Sequence, residues 1–197
     1  MPTPEREERV RRVLASKQPD LRVVLENVTH AHNASAVIRT CDAAGVLYLD
    51  LVAPNPEALD LNKAISTGAD KWLEIGIHTS ARDCLVALKS SGLKIVGTHL
   101  QGDAVPYTEF DYTQPVALVF GSEVEGLTSD VLEHVDANIR IPMLGMVRSL
   151  NLSVSVAVVL YEALRQRAAA GLLDSRPLPR AEFDRLLAKW LGPSAPD

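Results

Sequence analysis

An arginine in apolar company is the first residue to question about chemistry. Arg39 stands among Ala36, Val37, Ile38, Thr40 and Cys41, and a guanidinium keeps its charge at any physiological pH. Such a setting calls for an anion, either a carboxylate of the chain, with Glu26, Glu123 and Glu125 as candidates, or the phosphate of a ligand. Asn33 comes six positions earlier, about 600° around a helix axis, so the two do not strictly share a face. Asn33 is read either as the cap of that helix or as a functional polar group. A second set is Gly121-Ser-Glu-Val-Glu-Gly126, which has the glycine spacing of a phosphate loop but carries Leu127 where the lysine belongs. That excludes a phosphate loop. The two glycines then either form tight turns at a sheet edge or offer backbone N–H and C=O groups to a nucleoside. The third set runs from Ile141 through Pro142-Met-Leu-Gly145 and the polar joint Ser149-Leu150-Asn151 into a long apolar stretch. Polar groups at such a junction are rigidly held.

The elements that must position these groups follow from pattern and punctuation. Thr3-Pro4, followed by Glu5, Glu7 and Glu8, opens a helix that ends near Lys17. Its only apolar residues are Val10, Val13 and Leu14, which predicts a lightly docked arm. Strands are predicted at residues 21–25, 46–52, 72–77, 93–99, 116–120 and 138–141. Helices are predicted at 32–44, stopped by Gly45, from the Ser80 cap to near Gly92, and at 128–134. Loops take residues 53–60 and 102–114. In the helix after Asn151, Leu152, Val154, Val156, Ala157, Val158, Val159, Leu160, Ala163 and Leu164 cover most of the circumference. It is therefore expected to be buried on more than one side, within the domain or by a partner subunit. A last helix over 179–190 aligns Phe183, Leu186, Leu187 and Trp190 on one face. Strands alternating with helices predict an α/β domain with a largely parallel sheet. Ligands of such sheets sit beyond the carboxyl ends of the strands, which singles out residues 27–39, 98–102, 121–126 and 142–151.

Composition narrows the functions. At 197 residues and 47% apolar, the chain is expected to form one domain. Glu162 and Arg165 interrupt the longest apolar run, and charges from Glu5 onward leave no signal-peptide core, so a cytoplasmic protein is expected. Cys41 and Cys84 fall inside apolar helical patterns and are read as buried structural thiols. The five histidines form no HExxH or Cys/His spacing, and no metal site is expected. No G-x-G-x-x-G follows a strand, which removes the usual support for a nicotinamide, a flavin or the glycine-rich loop of most methyltransferases. Net charge is −5, yet residues 1–22 and 161–190 each carry six Lys/Arg against four Asp/Glu, while 23–160 carry eight against sixteen. The basic ends are either a phosphate-binding surface or ordinary solvated helix faces.

Three motifs carry a family resemblance. Asn33-x5-Arg39-Thr40, Leu118-Val-Phe-Gly121-Ser-Glu123-x2-Gly126 and Ile141-Pro142-Met-x-Gly145-x3-Ser149-Leu150-Asn151-x-Ser153 are similar, in order and spacing, to those of the SPOUT superfamily of S-adenosylmethionine-dependent RNA methyltransferases. The TrmH-type tRNA 2′-O-ribose methyltransferases resemble the chain most, over about residues 20–167. The resemblance implies a single domain, with an N-terminal helical arm (1–19), a catalytic core (20–167) and a C-terminal arm (168–197). It implies a parallel sheet with helices on both faces and a deep C-terminal trefoil knot, which periodicity alone could not show. It further implies S-adenosyl-L-methionine held by Thr98, Leu100, Gly121, Ile141, Met143 and Leu150, and a homodimer with the knot helices at its interface.

The reaction so implied is methyl transfer to a guanosine 2′-hydroxyl of tRNA, at the D-loop position 18. Its implied catalytic residues are Arg39, Asn33, Glu123, Ser149 and Asn151. Asn33 and Asn151 would hold Arg39 and the ribose, Glu123 would balance positive charge, and Ser149 would line the substrate pocket. Arg9, Arg11, Arg12, Arg165, Arg167 and Arg176 would grip tRNA phosphates. Arg148 departs from the pattern, since close relatives often carry glutamine before the serine. The rival readings are a ribosomal-RNA methyltransferase of the same superfamily, a non-catalytic RNA-binding module and an unrelated nucleotide-binding α/β protein. Ribosomal-RNA enzymes often carry an extra N-terminal domain, and only about 20 residues precede the first strand here.

Overall fold

The structure, a computed structural model, describes residues 2–28, 30–53, 68–99, 102–173 and 177–192. The order of elements is α1 (Pro4–Ala15), β1 (Gln18–Glu26), α2 (Ala31–Ala43), β2 (Val46–Val52), a 3-10 turn (Ala69–Trp72), β3 (Glu74–His78), α3 (Ala81–Ser90) and β4 (Lys94–Thr98). There follow β5 (Val105–Pro106), β6 (Val116–Phe120), α4 (Ser129–Leu132), β7 (Ala137–Arg140), α5 (Leu152–Ala169) and α6 (Arg180–Leu191). All pairings in the seven-stranded sheet are parallel, in the order β3-β2-β1-β6-β4-β7-β5. The predicted α/β class therefore holds.

Alternation along β6 divides the core. Val116, Leu118 and Phe120 join the cluster of α2 and α5, while Ala117 and Val119 join that of α3 and α4. A third cluster joins Val10 and Leu14 of α1 to Leu186, Leu187 and Trp190 of α6, over Leu47. The arm is thus firmly packed, contrary to the light docking predicted from its few apolar residues. Two of them, Val10 and Leu14, are fully engaged, and Lys17 adds a buried ammonium that bonds Asp42 at 2.7 Å. Burial pulls the pKa of Lys17 down, with Asp42 opposing. Trp72 belongs to the 3-10 turn rather than to the strand predicted at 72–77, because its ring packs edge-to-face on Trp190. The loop predicted at 102–114 contains the two-residue β5. Cys41 and Cys84 are buried free thiols, each pushed up to about 12 chiefly by desolvation.

Arg167 requires a correction. Its side chain is 1% exposed, donates to the Tyr112 carbonyl at 3.0 Å and pairs with Asp20, so it braces the core and does not face phosphates. Removing one partner of a buried pair costs about 3–5 kcal/mol. Arg167→Ala is therefore expected to lower unfolding stability by about that much in a urea titration. An unchanged midpoint would show the pair to be incidental.

Candidate cofactor and RNA site

The carboxyl ends of β4, β6 and β7 open onto a cleft of about 360 Å³, within the range of roughly 300–1,000 Å³ for small-molecule sites. Thr98, Gly121 and Ile141 line it at the strand ends, and Met143 and Leu150 line it from the segment before α5. Five of the six residues expected to hold a cofactor thus converge on one space. Leu100, the sixth, lies outside the described residues, as does Arg176. His99, Arg140, Arg148 and Ser155 also line the cleft. Of these, only Arg148 stood out in the sequence.

The loop from Gly121 to Leu127 shows why its glycines matter. Ser122 and Gly126 exchange two backbone hydrogen bonds of 3.1 Å, and the Ser122 hydroxyl accepts from Glu125 N at 3.1 Å. A side-chain carbon on Gly121 would lie 2.1 Å from the carbonyl carbon of Gly126, and Gly126 itself has φ +72°. Leu127 is buried and anchors the loop in the cluster of α3 and α4. The tight-turn reading is therefore correct, and the turn also forms one wall of the cleft.

Three motif residues, distant in sequence, meet at its edge. Asn33 donates from Nδ2 to Glu123 Oε1, and Asn151 donates from Nδ2 to Asn33 Oδ1 at 3.1 Å. Asn151 Oδ1 in turn accepts from Ser153 N at 2.9 Å, which caps α5. Asn33 is buried within α2, whose cap is His30, so the capping reading of Asn33 is wrong. Glu123 binds an amide here, whereas the resemblance suggested a cation. Ser149 is exposed and lines the cleft.

Arg39 lies six residues beyond Asn33, about 9 Å along α2. Its neighbours Val37, Ile38 and Cys41 are buried, but Arg39 is exposed and makes no hydrogen bond or ion pair with the described residues. Of the two anions considered for it, the internal carboxylate is absent among the described residues, while the buried apolar neighbours lie on other faces of the helix. Glu26 is committed to Thr128, accepting from its amide at 3.0 Å and from its hydroxyl. Glu125 is exposed on the loop. Among the basic residues, Arg9 and Arg12 are exposed without partners among the described residues, Arg11 pairs with Glu7 at 2.7 Å and Arg165 with Glu162 at 2.8 Å.

One cluster escaped the sequence reading of the histidines and cysteines. Asp50, His78 and Cys84 bring ligand-type atoms within 4.8 Å of one another on β2, β3 and α3. No short-range motif spells it, and the Asp50 carboxylate is already engaged by His78 at 2.8 Å and Arg22 at 3.6 Å.

The parallel sheet thus carries a cleft at its carboxyl edge with polar motif residues gathered beside it. The chain belongs to the SpoU rRNA Methylase family, whose pattern matches residues 20–161. It is 44% identical over 189 residues to the tRNA (guanosine(18)-2′-O)-methyltransferase of Thermus thermophilus, covering 96% of this chain and 97% of that protein. The crystal structure of the Aquifex aeolicus TrmH/SpoU tRNA modifying enzyme superposes with a TM-score of 0.87 at 41% identity, over 95% of each chain. An AdoMet-bound rRNA methyltransferase from Sinorhizobium meliloti gives a TM-score of 0.68 at 31% identity, over 79% of this chain and 59% of that one.

Proposed function

We propose that the protein methylates the ribose 2′-hydroxyl of guanosine 18 in tRNA, with S-adenosylmethionine as methyl donor and the cytoplasm as its compartment. The observation that carries this reading is the joining of Glu123, Asn33 and Asn151 at the edge of the cleft, with Arg39, on the same helix as Asn33, unengaged by any described residue. The apolar side chains of Ile141, Met143 and Leu150 suit the adenine ring and methylene groups of the cofactor. When bound, the cofactor supplies a methyl on a sulfonium, whose positive charge is lost on transfer. The protein's task is then orientation and removal of one proton, and orientation alone supplies ~7–11 kcal/mol. Arg39 holds a phosphate beside the ribose and so orients the 2′-hydroxyl. Its guanidinium accepts no proton, so the O2′ proton passes to a phosphate oxygen or to water. Asn33 and Asn151 fix the approach of the ribose, and Ser149 lines its pocket.

The C-terminal portion of the core is read as the trefoil-knotted segment of the SPOUT fold, supported by the insertion of β6 between β1 and β4. The protein acts as a homodimer through α5. That helix buries Leu152, Val156, Val159, Leu160 and Ala163, and leaves Val154, Ala157, Val158 and Tyr161 as a second face. Val154 is 46% exposed and Tyr161 51%, an apolar stripe that suits a second copy.

Labelled methyl transfer to unmodified tRNA, compared with ribosomal RNA, tests the proposal. Incorporation into tRNA is expected, and incorporation only into ribosomal RNA would support the rival reading. The exposed arginines of α1 supply part of the tRNA affinity. Joint reversal of Arg9, Arg11 and Arg12 to glutamate is expected to reduce the salt slope of tRNA binding by about three, roughly one per contact, with cofactor affinity unchanged. Filter binding across a salt series measures the first and calorimetry the second. Equal loss of both would mark misfolding.

A further inference from the structure

Between the terminal helices lies a second cavity, of about 390 Å³, unconnected with the chemistry above. One wall is a face of α1, where Arg6, Arg9, Val10 and Val13 follow the i, i+3, i+4, i+7 spacing. Arg6 and Arg9 are exposed and have no ion-pair partner among the described residues, unlike Arg11. The opposite wall is aromatic. Trp190 is 4% exposed and Trp72 is half-buried, with ring centroids 5.4 Å apart at 81°. The indole N–H of Trp190 is buried without an acceptor among the described residues. Asp42 also lines the cavity, its carboxylate 30% exposed and held by Lys17 at 2.7 Å.

Each part selects the same chemistry. The partly exposed indole of Trp72, braced edge-to-face by Trp190, favours a flat π-system, since every base has a face to stack. Two unpaired guanidinium groups favour a phosphodiester. A fixed carboxylate favours a base edge with N–H donors. A free anion would gain nothing from the tryptophans, and an apolar peptide would gain nothing from the arginines. We propose that this cavity takes one unstacked nucleotide of the RNA substrate, its base against Trp72 and its flanking phosphates on Arg6 and Arg9. The proposal rests on the tRNA reading above. The cavity sits where strands begin, beside Lys17 and Trp72, whereas the cleft sits where they end. The nine residues of β1 separate the two levels by about 25–30 Å. The nucleotide held there is therefore distant from the reacting ribose, and its contacts act on tRNA affinity, not on the methyl-transfer step.

Trp72 and Trp190 are the chain's two tryptophans, so its tryptophan emission reports on this cavity. Titrating tRNA into the wild-type protein is expected to change that emission with the same midpoint as filter binding. Trp72→Ala is expected to raise KM for tRNA about ten-fold or more, the loss of one base–aromatic stack, with kcat and cofactor affinity unchanged. Trp72→Phe is expected to restore most of it. Because Trp72 also packs on Trp190, the Arg6→Ala/Arg9→Ala double variant provides a second test free of packing changes, with a salt slope reduced by about two. Filter retention of tRNA with unchanged emission, or wild-type KM in both Trp72→Ala and the double variant, overturns the nucleotide site while leaving the tRNA reading in place. Absence of tRNA retention overturns both.

Discussion

Replacing Arg39 with alanine is expected to lower kcat for methyl transfer by about a thousand-fold, a loss of about 4 kcal/mol of transition-state stabilisation. The melting temperature is expected to stay where it is. Arg39 is exposed and unpartnered among the described residues, so its removal orphans no buried group, and changes at such positions are usually within about 0.5 kcal/mol. Cofactor affinity is also expected to hold, since Arg39 does not line the cleft. This combination of lost turnover, retained fold and retained cofactor separates a substrate-positioning arginine from a structural one. Arg39→Lys sharpens the test. It keeps the charge but loses the planar fork that grips two phosphate oxygens, and about a hundred-fold loss is expected. Near-full turnover in Arg39→Lys would contradict the geometric role.

The second large effect is expected at Gly121. A methyl group there would lie 2.1 Å from Gly126 C, 2.2 Å from Gly126 O and 2.3 Å from Leu127 N. All three are backbone atoms, so no rotamer change relieves the overlap, and the loop must open. Overpacking a core with side-chain atoms costs about 1–3 kcal/mol. Gly121→Ala is expected to reach or exceed the upper end of that range in thermal unfolding. It is also expected to weaken cofactor binding about a hundred-fold, because the same loop walls the cleft and carries Glu123 to Asn33. Gly126→Ala is the comparison. It meets nothing within 4 Å and bears only the cost of φ +72°, about 1–2 kcal/mol. Equal effects at both positions would contradict the close-packing account.

How far the sequence could be read depends on the range of the forces involved. β2 and β6 occupy the predicted residues, since short β-branched runs bounded by turn residues are local signals. The order of the strands was not legible, because β6 reaches its place between β1 and β4 through pairings far apart in the chain. β5, with two residues, is too short to leave a pattern. Arg39 and Arg167 fail in opposite directions for one reason. Apolar neighbours in sequence placed Arg39 inside, and basic neighbours placed Arg167 outside, yet a helix sends adjacent residues to different faces. Arg167 is buried because Asp20, 147 residues away, meets it there. The all-round apolarity of α5 reads as burial on more than one side, yet within the chain itself Val154 and Tyr161 stay exposed. The site residues came from the motif resemblance, and their contacts did not. The links from Asn33 to Glu123 and to Asn151 span 90 and 118 residues.

The most direct test of the central claim is to locate the methyl group. Unmodified tRNA transcript incubated with the protein and S-adenosylmethionine, then digested and resolved by mass spectrometry, is expected to yield one 2′-O-methylguanosine, at the D-loop guanosine 18. Methyl groups on a base, or on the ribose of another nucleoside, would contradict it.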